Sequence, residues 1–295
     1  MKAFKIQRIL IPIDFSDTSM LAIEHAAFTA QLFKAELILL HVVERLWEKF
    51  SIVVPELTIP TPEGYTDSLE KKLEETADNI RSKHGVKSHC ITCEGNILTE
   101  IMKISKEQDV DLVVMGTHGI AGIAEFFVGS NTYKVVNQSK CPVLSVQTST
   151  SHLGYQNILL PIDNSAHSRQ KVNHAVVLAK NFASKLHILG LDMGDMDEVE
   201  SGQFEIRLDQ IVDYAKKCGV ICDKRTVKGS NQAKMTLDYA GSSDSDLLVI
   251  MTDQEESISG RLLGTYAQQI VNHSKIPVLS IHPIKGVTHA WENPY

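Results

Sequence analysis

The chain carries one pattern twice, and a duplicated unit confines it to repeated folds. Arg8-Ile9-Leu10-Ile11-Pro12-Ile13-Asp14-Phe15-Ser16 returns as Asn157-Ile158-Leu159-Leu160-Pro161-Ile162-Asp163-Asn164-Ser165, an offset of 149. The same offset pairs His25-Ala26 with His174-Ala175. Further on, Asp111-Leu112-Val113-Val114 matches Asp246-Leu247-Leu248-Val249, and Pro142-Val143-Leu144-Ser145 matches Pro277-Val278-Leu279-Ser280, both at an offset of 135. The first copy therefore holds about 14 extra residues between Val43 and Asp111, the difference between 149 and 135. Pro55, Pro60, Pro62 and Gly64 place them in an irregular excursion over Glu44 to Asp67. Two units of roughly 150 residues are each domain-sized. The expected division is 1–150, 151–285 and a tail over 286–295 that contains Trp291 and Pro294.

Each copy alternates strand and helix signals. In the first, strands are expected at Arg8 to Ile13, Glu36 to Val43, Lys87 to Cys93, Asp111 to Met115 and Val143 to Val146. Helices are expected over Ser19 to Phe33, capped by Ser16 or Asp17, Ser68 to Lys83 with Leu69, Leu73 and Ile80 on one face, Ile97 to Glu107, and after Gly129. Five short apolar strands separated by helices predict an α/β, doubly wound, five-stranded parallel sheet covered on both faces. Ligands of such sheets sit beyond the carboxyl ends of the strands, where the winding reverses.

Composition excludes several classes. With 29 Lys and Arg against 36 Asp and Glu the net charge is −7, and no basic run offers a nucleic acid its phosphate contacts. The longest apolar stretches are strand-sized, so no membrane insertion is expected. Met1-Lys2-Ala3-Phe4-Lys5 leads into no apolar leader, which gives a cytoplasmic expectation. Five cysteines form no even framework. Cys90 and Cys93 make a C-x-x-C, but on an expected strand, where residues three apart point to opposite faces.

Chemistry is expected at the strand ends. Pro12-Ile13-Asp14 closes the first strand and Val42 stands near the end of the second. The fourth ends in Met115-Gly116-Thr117-His118-Gly119, followed by Gly129-Ser130-Asn131-Thr132 at the start of a helix. Gly116 and Gly119 allow a sharp turn and close backbone approach to an anion. A helix N-terminus at Gly129 and Ser130 offers unpaired N–H groups and a positive dipole end to phosphate.

Gly116, Gly119, Gly129 and Ser130 fit G-x2-G-x9-G-(S/T), and with Asp14 and the strand and helix order the chain resembles a tandem universal stress protein. The similarity covers roughly residues 4 to 147 and 155 to 283. It implies two Rossmann-like, adenine-nucleotide-binding domains packed as an intrachain pseudo-dimer through Val143 to Val146 and Val278 to His282, and it allows a homodimer of the whole chain. It also implies that ATP is bound, with Mg2+ (or Mn2+) held by its phosphates. Pro12, Ile13, Asp14 and the backbone of Val42 would hold the base and ribose end. Met115 and Gly116 would flank the ribose, and Thr117, Gly119, Gly129, Ser130, Asn131 and Thr132 would surround the phosphates. Asp14, the glycines and Ser130 also have ordinary uses in turns and caps. His118 reads as a rim residue.

The second copy departs from this pattern. Gly116 becomes Met251 and Gly119 becomes Gln254, while Gly264 and Thr265 keep the places of Gly129 and Ser130. Asp253, Glu255 and Glu256 bring carboxylates where phosphates would approach. The second copy is expected to fold like the first and to bind ATP poorly. A metal at those acids is the other use such a cluster could have, though consecutive surface acids are ordinarily solvated.

Two functional classes follow: a nucleotide-binding stress-response regulator with an unknown protein partner, or a slow ATP hydrolase or ATP-dependent enzyme in the same pocket. No G-x4-G-K-(S/T), kinase-type or H-E-x-x-H signature is found, and no Arg or Lys lies in the glycine loop to stabilise phosphoryl transfer. No catalytic residue is assigned, and binding is the favoured reading.

Overall fold

The computed structural model describes residues 4–44, 64–117, 129–147, 150, 152–165, 167–252, 254–257 and 260–284. In the first half, β1 (Arg8–Pro12), α1 (Asp17–Phe33), β2 (Glu36–Val43), α2 (Tyr65–His84), β3 (Ser88–Glu94), α3 (Ile97–Glu107), β4 (Leu112–Gly116), α4 (Ser130–Gln138) and β5 (Val143–Val146) follow in turn. The second half runs through β6 (Asn157–Ile162), a 3-10 turn (His167–Lys171), α5 (Val172–Phe182), β7 (Lys185–Asp192), α6 (Glu198–Lys217), β8 (Cys222–Lys228), α7 (Gln232–Ser242) and β9 (Leu247–Met251). It then makes an antiparallel hairpin, β10 (Gln254–Ser257) and β11 (Gly260–Leu263), before α8 (Thr265–His273) and β12 (Val278–Ile281). Residues 44–64 separate β2 from α2 where only 193–197 separate β7 from α6, so the extra length falls where the prolines placed it. Most of that excursion, 45–63, lies outside the described residues, as does the expected tail over 286–295.

All strands but the hairpin join one ten-stranded sheet in the order β3-β2-β1-β4-β5-β12-β9-β6-β7-β8. Within each half every pair is parallel; the halves meet at an antiparallel seam where Leu144 faces Leu279 and Val143 faces Ser280. Leu144 and Leu279 are the same position of the repeat, so a pseudo-twofold axis passes between them. The expected pseudo-dimer is thus built through the last strand of each half.

The burial follows from the strand pattern. Leu10, Ile38 and Val113 share one core layer and Ile9, Leu37 and Val114 the other, as period-two alternation requires. Helices α1, α2, α5 and α6 close one face; α3, α4, α7 and α8 close the other. In β3, Cys90 packs toward the layer of Ile9, Leu37 and Val114 and Cys93 toward that of Leu10, Ile38 and Val113, so the two thiols lie on opposite faces. Burial pushes the Cys90 thiol up to about 12 and raises that of Cys93, which makes neither a ready nucleophile.

The repeated aspartate ahead of β4 and β9 has a plain structural use. Asp111 accepts from the N–H groups of Gln7 and Arg8 at 2.8 and 3.0 Å, and Asp246 accepts from Gln156 and Asn157 at 2.7 and 2.9 Å. Each carboxylate ties the start of the first strand of its half to the strand beside it. Burial raises the Asp246 carboxyl above the usual carboxylate range, against the pull of those two donors.

Candidate functional site at the first strand-end cleft

In the first half β1 lies between β2 and β4, so the winding reverses at the β1–β4 pair. The ends of β1, β2 and β4 converge there with the N-terminus of α4. Ile13 is buried and donates its N–H to Leu40 O at 2.8 Å, extending the β1–β2 ladder past Pro12. Ile13 O lies 2.7 Å from His41 Nδ1. A carbonyl can only accept, so that nitrogen carries the proton.

The half-buried Asp14 closes a turn. Its Oδ1 accepts from Ser16 N at 3.0 Å and Ser16 Oγ at 2.6 Å, and Ser16 Oγ in turn accepts from Ser19 N at 3.2 Å to cap α1. Between them Phe15 takes a left-handed φ of 61°, a conformation aromatic residues seldom adopt. Its ring lies 5.0 Å from the His41 ring and 4.2 Å from Lys72 Nζ, a cation–π contact. Phe15 and His41 are not among the sequence candidates, and Ser16, expected only as a cap of the first helix, is that cap. The recurrence of Asp-x-Ser at Asp163 and Ser165 carried the signal for Ser16.

At the end of β4, Met115 is buried and Gly116 meets the first turn of α1. A Cβ on Gly116 would lie 2.8 Å from the Thr18 carbonyl carbon and 2.7 Å from its Cγ2. The bare backbone at 116 is therefore required for α1 to begin where it does, a packing demand in addition to any turn. Thr117 donates its N–H to Val146 O at 2.9 Å and is buried.

Two residues expected to face phosphate are engaged inside the loop. Gly129 N–H donates to Thr117 O at 2.5 Å, and Thr132 Oγ1 donates to Gly116 O at 2.8 Å. These bonds tie α4 to the end of β4. They leave the first turn of α4 as the donor surface, since the N–H groups of Ser130, Asn131 and Thr132 have no acceptor within a helix and Gly129 has no side chain to cap them. The Ser130 side chain is exposed and Asn131 is half-buried at this end. Val42, in β2, pairs with Cys93. Gly119 and His118 lie outside the described residues.

The equivalent cleft of the second half is filled. Pro161, Asp163, Leu191, Met251 and Tyr266, at the positions of Pro12, Asp14, Val42, Gly116 and Asn131, line a cavity of about 10 Å3 with His167, Ser168 and Lys171. That volume holds about one water. Asp163 repeats the turn of Asp14, accepting from Ser165 N at 2.8 Å and from Ser165 Oγ. Met251 is buried where Gly116 is bare, and the chain after Ser165 enters a 3-10 turn in place of an α-helical first turn. Lys171, at the position of Ala22, is buried and donates from Nζ to Ser168 O at 2.8 Å and Ser168 Oγ at 3.0 Å. Neither the 3-10 turn, the hairpin nor the role of Lys171 was expected from the sequence. Asp253 lies outside the described residues, and Glu255 and Glu256 are placed only as backbone of β10. Among the described residues no group of three metal-ligating side chains occurs, and no helix is long and apolar enough to cross a membrane.

With this geometry the comparisons with known proteins agree. The sequence model of the universal stress protein family matches residues 5–147 and again 154–282, so the chain belongs to that family, in tandem form. It is 34% identical over 157 residues to universal stress protein MJ0577 of Methanocaldococcus jannaschii, covering 49% of this chain and 97% of that one. It is 33% identical over 149 residues to universal stress protein YxiE of Bacillus subtilis, covering 48% and 98%. Each relative thus spans one unit of the pair. A universal stress protein from Archaeoglobus fulgidus matches the whole architecture, with a TM-score of 0.69 at 19% identity over 96% of this chain and 99% of that one.

Proposed function

We propose that the first half binds ATP and that the chain is a nucleotide-dependent regulator of a stress response, acting in the cytoplasm by changing its hold on a protein partner. One observation carries this reading: the uncapped first turn of α4 is fastened beside the end of β4, at the switch point of the sheet, by the Thr132–Gly116 and Gly129–Thr117 bonds. Phosphate oxygens would take the N–H groups of Ser130 and Asn131 and the Ser130 hydroxyl, assisted by the helix dipole. Thr117, Gly129 and Thr132 shape this turn, and Gly119 is assigned to it by the spacing of the glycines. Pro12, Ile13, Asp14, Val42, Met115 and Gly116 form the wall toward base and ribose. Mg2+ or Mn2+ would enter on the phosphates. The second half, with its cleft filled by Met251 and Lys171, serves as a partner domain that takes no nucleotide.

Calorimetric titration of nucleotide-free protein tests both parts. One ATP per chain is expected; two would refute the closed second cleft, and none would refute the reading itself. Phosphate and AMP release under saturating ATP and magnesium is expected to stay below about 1 per second, the lower end of ordinary enzyme turnover.

A further inference from the structure

The seam between the halves is not symmetric in its side-chain bonding. At the 135 offset, Thr117 and Gln147 of the first half correspond to Thr252 and His282 of the second. Thr252 is fully buried, and its Oγ1 lies 2.6 Å from His282 Nδ1. His282 Nε2 reaches across the seam to Val136 O, 2.7 Å away, in the last turn of α4. Because a carbonyl only accepts, Nε2 carries a proton; in the neutral ring Nδ1 then accepts from the Thr252 hydroxyl, which fixes the tautomer. Carbonyls of a last helical turn have no donor within the helix, so the imidazole supplies what α4 lacks there.

The second half grips α4 in a further way. Strand β11 packs against it, and Leu263 shares a core layer with Val135 and Val136. On the mirrored side, Gln147 is buried and both polar atoms of its amide are unpaired among the described residues. Among the described residues, these contacts come from the half with the filled cleft onto the helix whose opposite end is the candidate phosphate site.

We propose that His282 is a cross-domain positioning residue that sets the placement of α4 and thereby the nucleotide affinity of the first half. The second half is, on this account, a working part of a site it does not itself contain. The proposal rests on the ATP reading above. In the full-length chain, His282→Leu should weaken ATP binding about tenfold, in line with a buried carbonyl left without its donor. His282→Gln, which keeps an N–H donor, should recover most of that loss, and Gln147→Leu at the mirrored position should leave affinity unchanged. Amide exchange in the first turn of α4 should quicken in His282→Leu alone. If His282→Leu does not fold, Thr252→Val carries the test, with roughly threefold weaker binding expected from the lost hydroxyl. A wild-type protein that binds ATP and a His282→Leu protein that binds it equally well would overturn the inference and leave the ATP reading standing. A wild-type protein that binds none would remove the ATP reading and this inference with it.

Discussion

The two strand-end clefts start from the same turn and reach opposite outcomes. Asp14 and Asp163 hold Ser16 and Ser165 in the same way, yet one cleft lies beside a bare glycine and the other beside a buried methionine. Without a Cβ at 116, α1 starts at Asp17 with Thr18 in contact with β4. With Met251 at that place the helix start is displaced into a 3-10 turn, and Lys171 folds back on Ser168. The buried Met251 stands where Gly116 is bare, and together with Lys171 and Tyr266 it lines the second cleft. The comparison separates two layers of the repeat: the Asp-x-Ser turn after the first strand is the same in both halves, while the residues around the cleft beyond it differ.

The sharpest way to break this comparison is to remove the plug. Met251→Ala should cost about 2–5 kcal/mol of stability, the usual range for emptying a buried methionine site, read from chemical denaturation of the full chain. ATP stoichiometry should stay at one, because Lys171 and Tyr266 still line the cleft. Two ATP per chain in Met251→Ala would mean that the methionine alone closes it.

Where the halves are alike, acid should find both. His25 and His174 occupy the same position of the repeat, beside the seam, His25 against Tyr155 and His174 against Phe4 at a ring distance of 4.3 Å. Burial pulls each imidazole down to about 4, with the nearby His152 adding to the effect at His25. The folded state therefore binds fewer protons than the unfolded one between about pH 6.5 and pH 4. Stability is full above pH 6.5 and falls as pH drops through that window, by on the order of 3 kcal/mol for each imidazole. Melting curves of His25→Phe and His174→Phe should each flatten the acid limb, and a limb that neither variant changes would assign the acid loss elsewhere.

Much of this was legible in the sequence because it depends on short-range pattern. The doubly wound order and the place of the extra residues follow from apolar strands such as Leu112 to Gly116 and from two offsets, and the seam strands from the family resemblance. The opposite faces of Cys90 and Cys93 follow from strand periodicity alone. What escaped depends on contacts between distant segments. That Gly116 serves the first turn of α1 requires knowing where Thr18 lies, and that Gly129 and Thr132 bond within the loop requires the loop to be folded. Nothing in a lysine at 171 or a histidine at 282 announces a buried amine folded back on Ser168 or a bond across the seam. The carboxylates of the second copy stand out in the sequence by their charge, whereas Met251 and Lys171 line the cleft by a placement that only the folded chain reveals.

The smallest expected change in stability gives the cleanest separation of the halves, because it has opposite signs for folding and for binding. Asn131→Asp places a carboxylate in the first turn of α4. There it faces unpaired N–H groups and the positive end of the dipole, so the ligand-free protein should gain about 0.3–1 kcal/mol. The same carboxylate stands where phosphate oxygens are expected, and like charges at close range should weaken ATP at least tenfold. Tyr266→Asp puts the same charge at the matching turn of α8, beside a cleft already filled by Met251. It should leave ATP affinity and stoichiometry as they were. A stabilised Asn131→Asp protein that still binds ATP normally would locate the phosphates away from α4 and remove the contrast between the two helix starts.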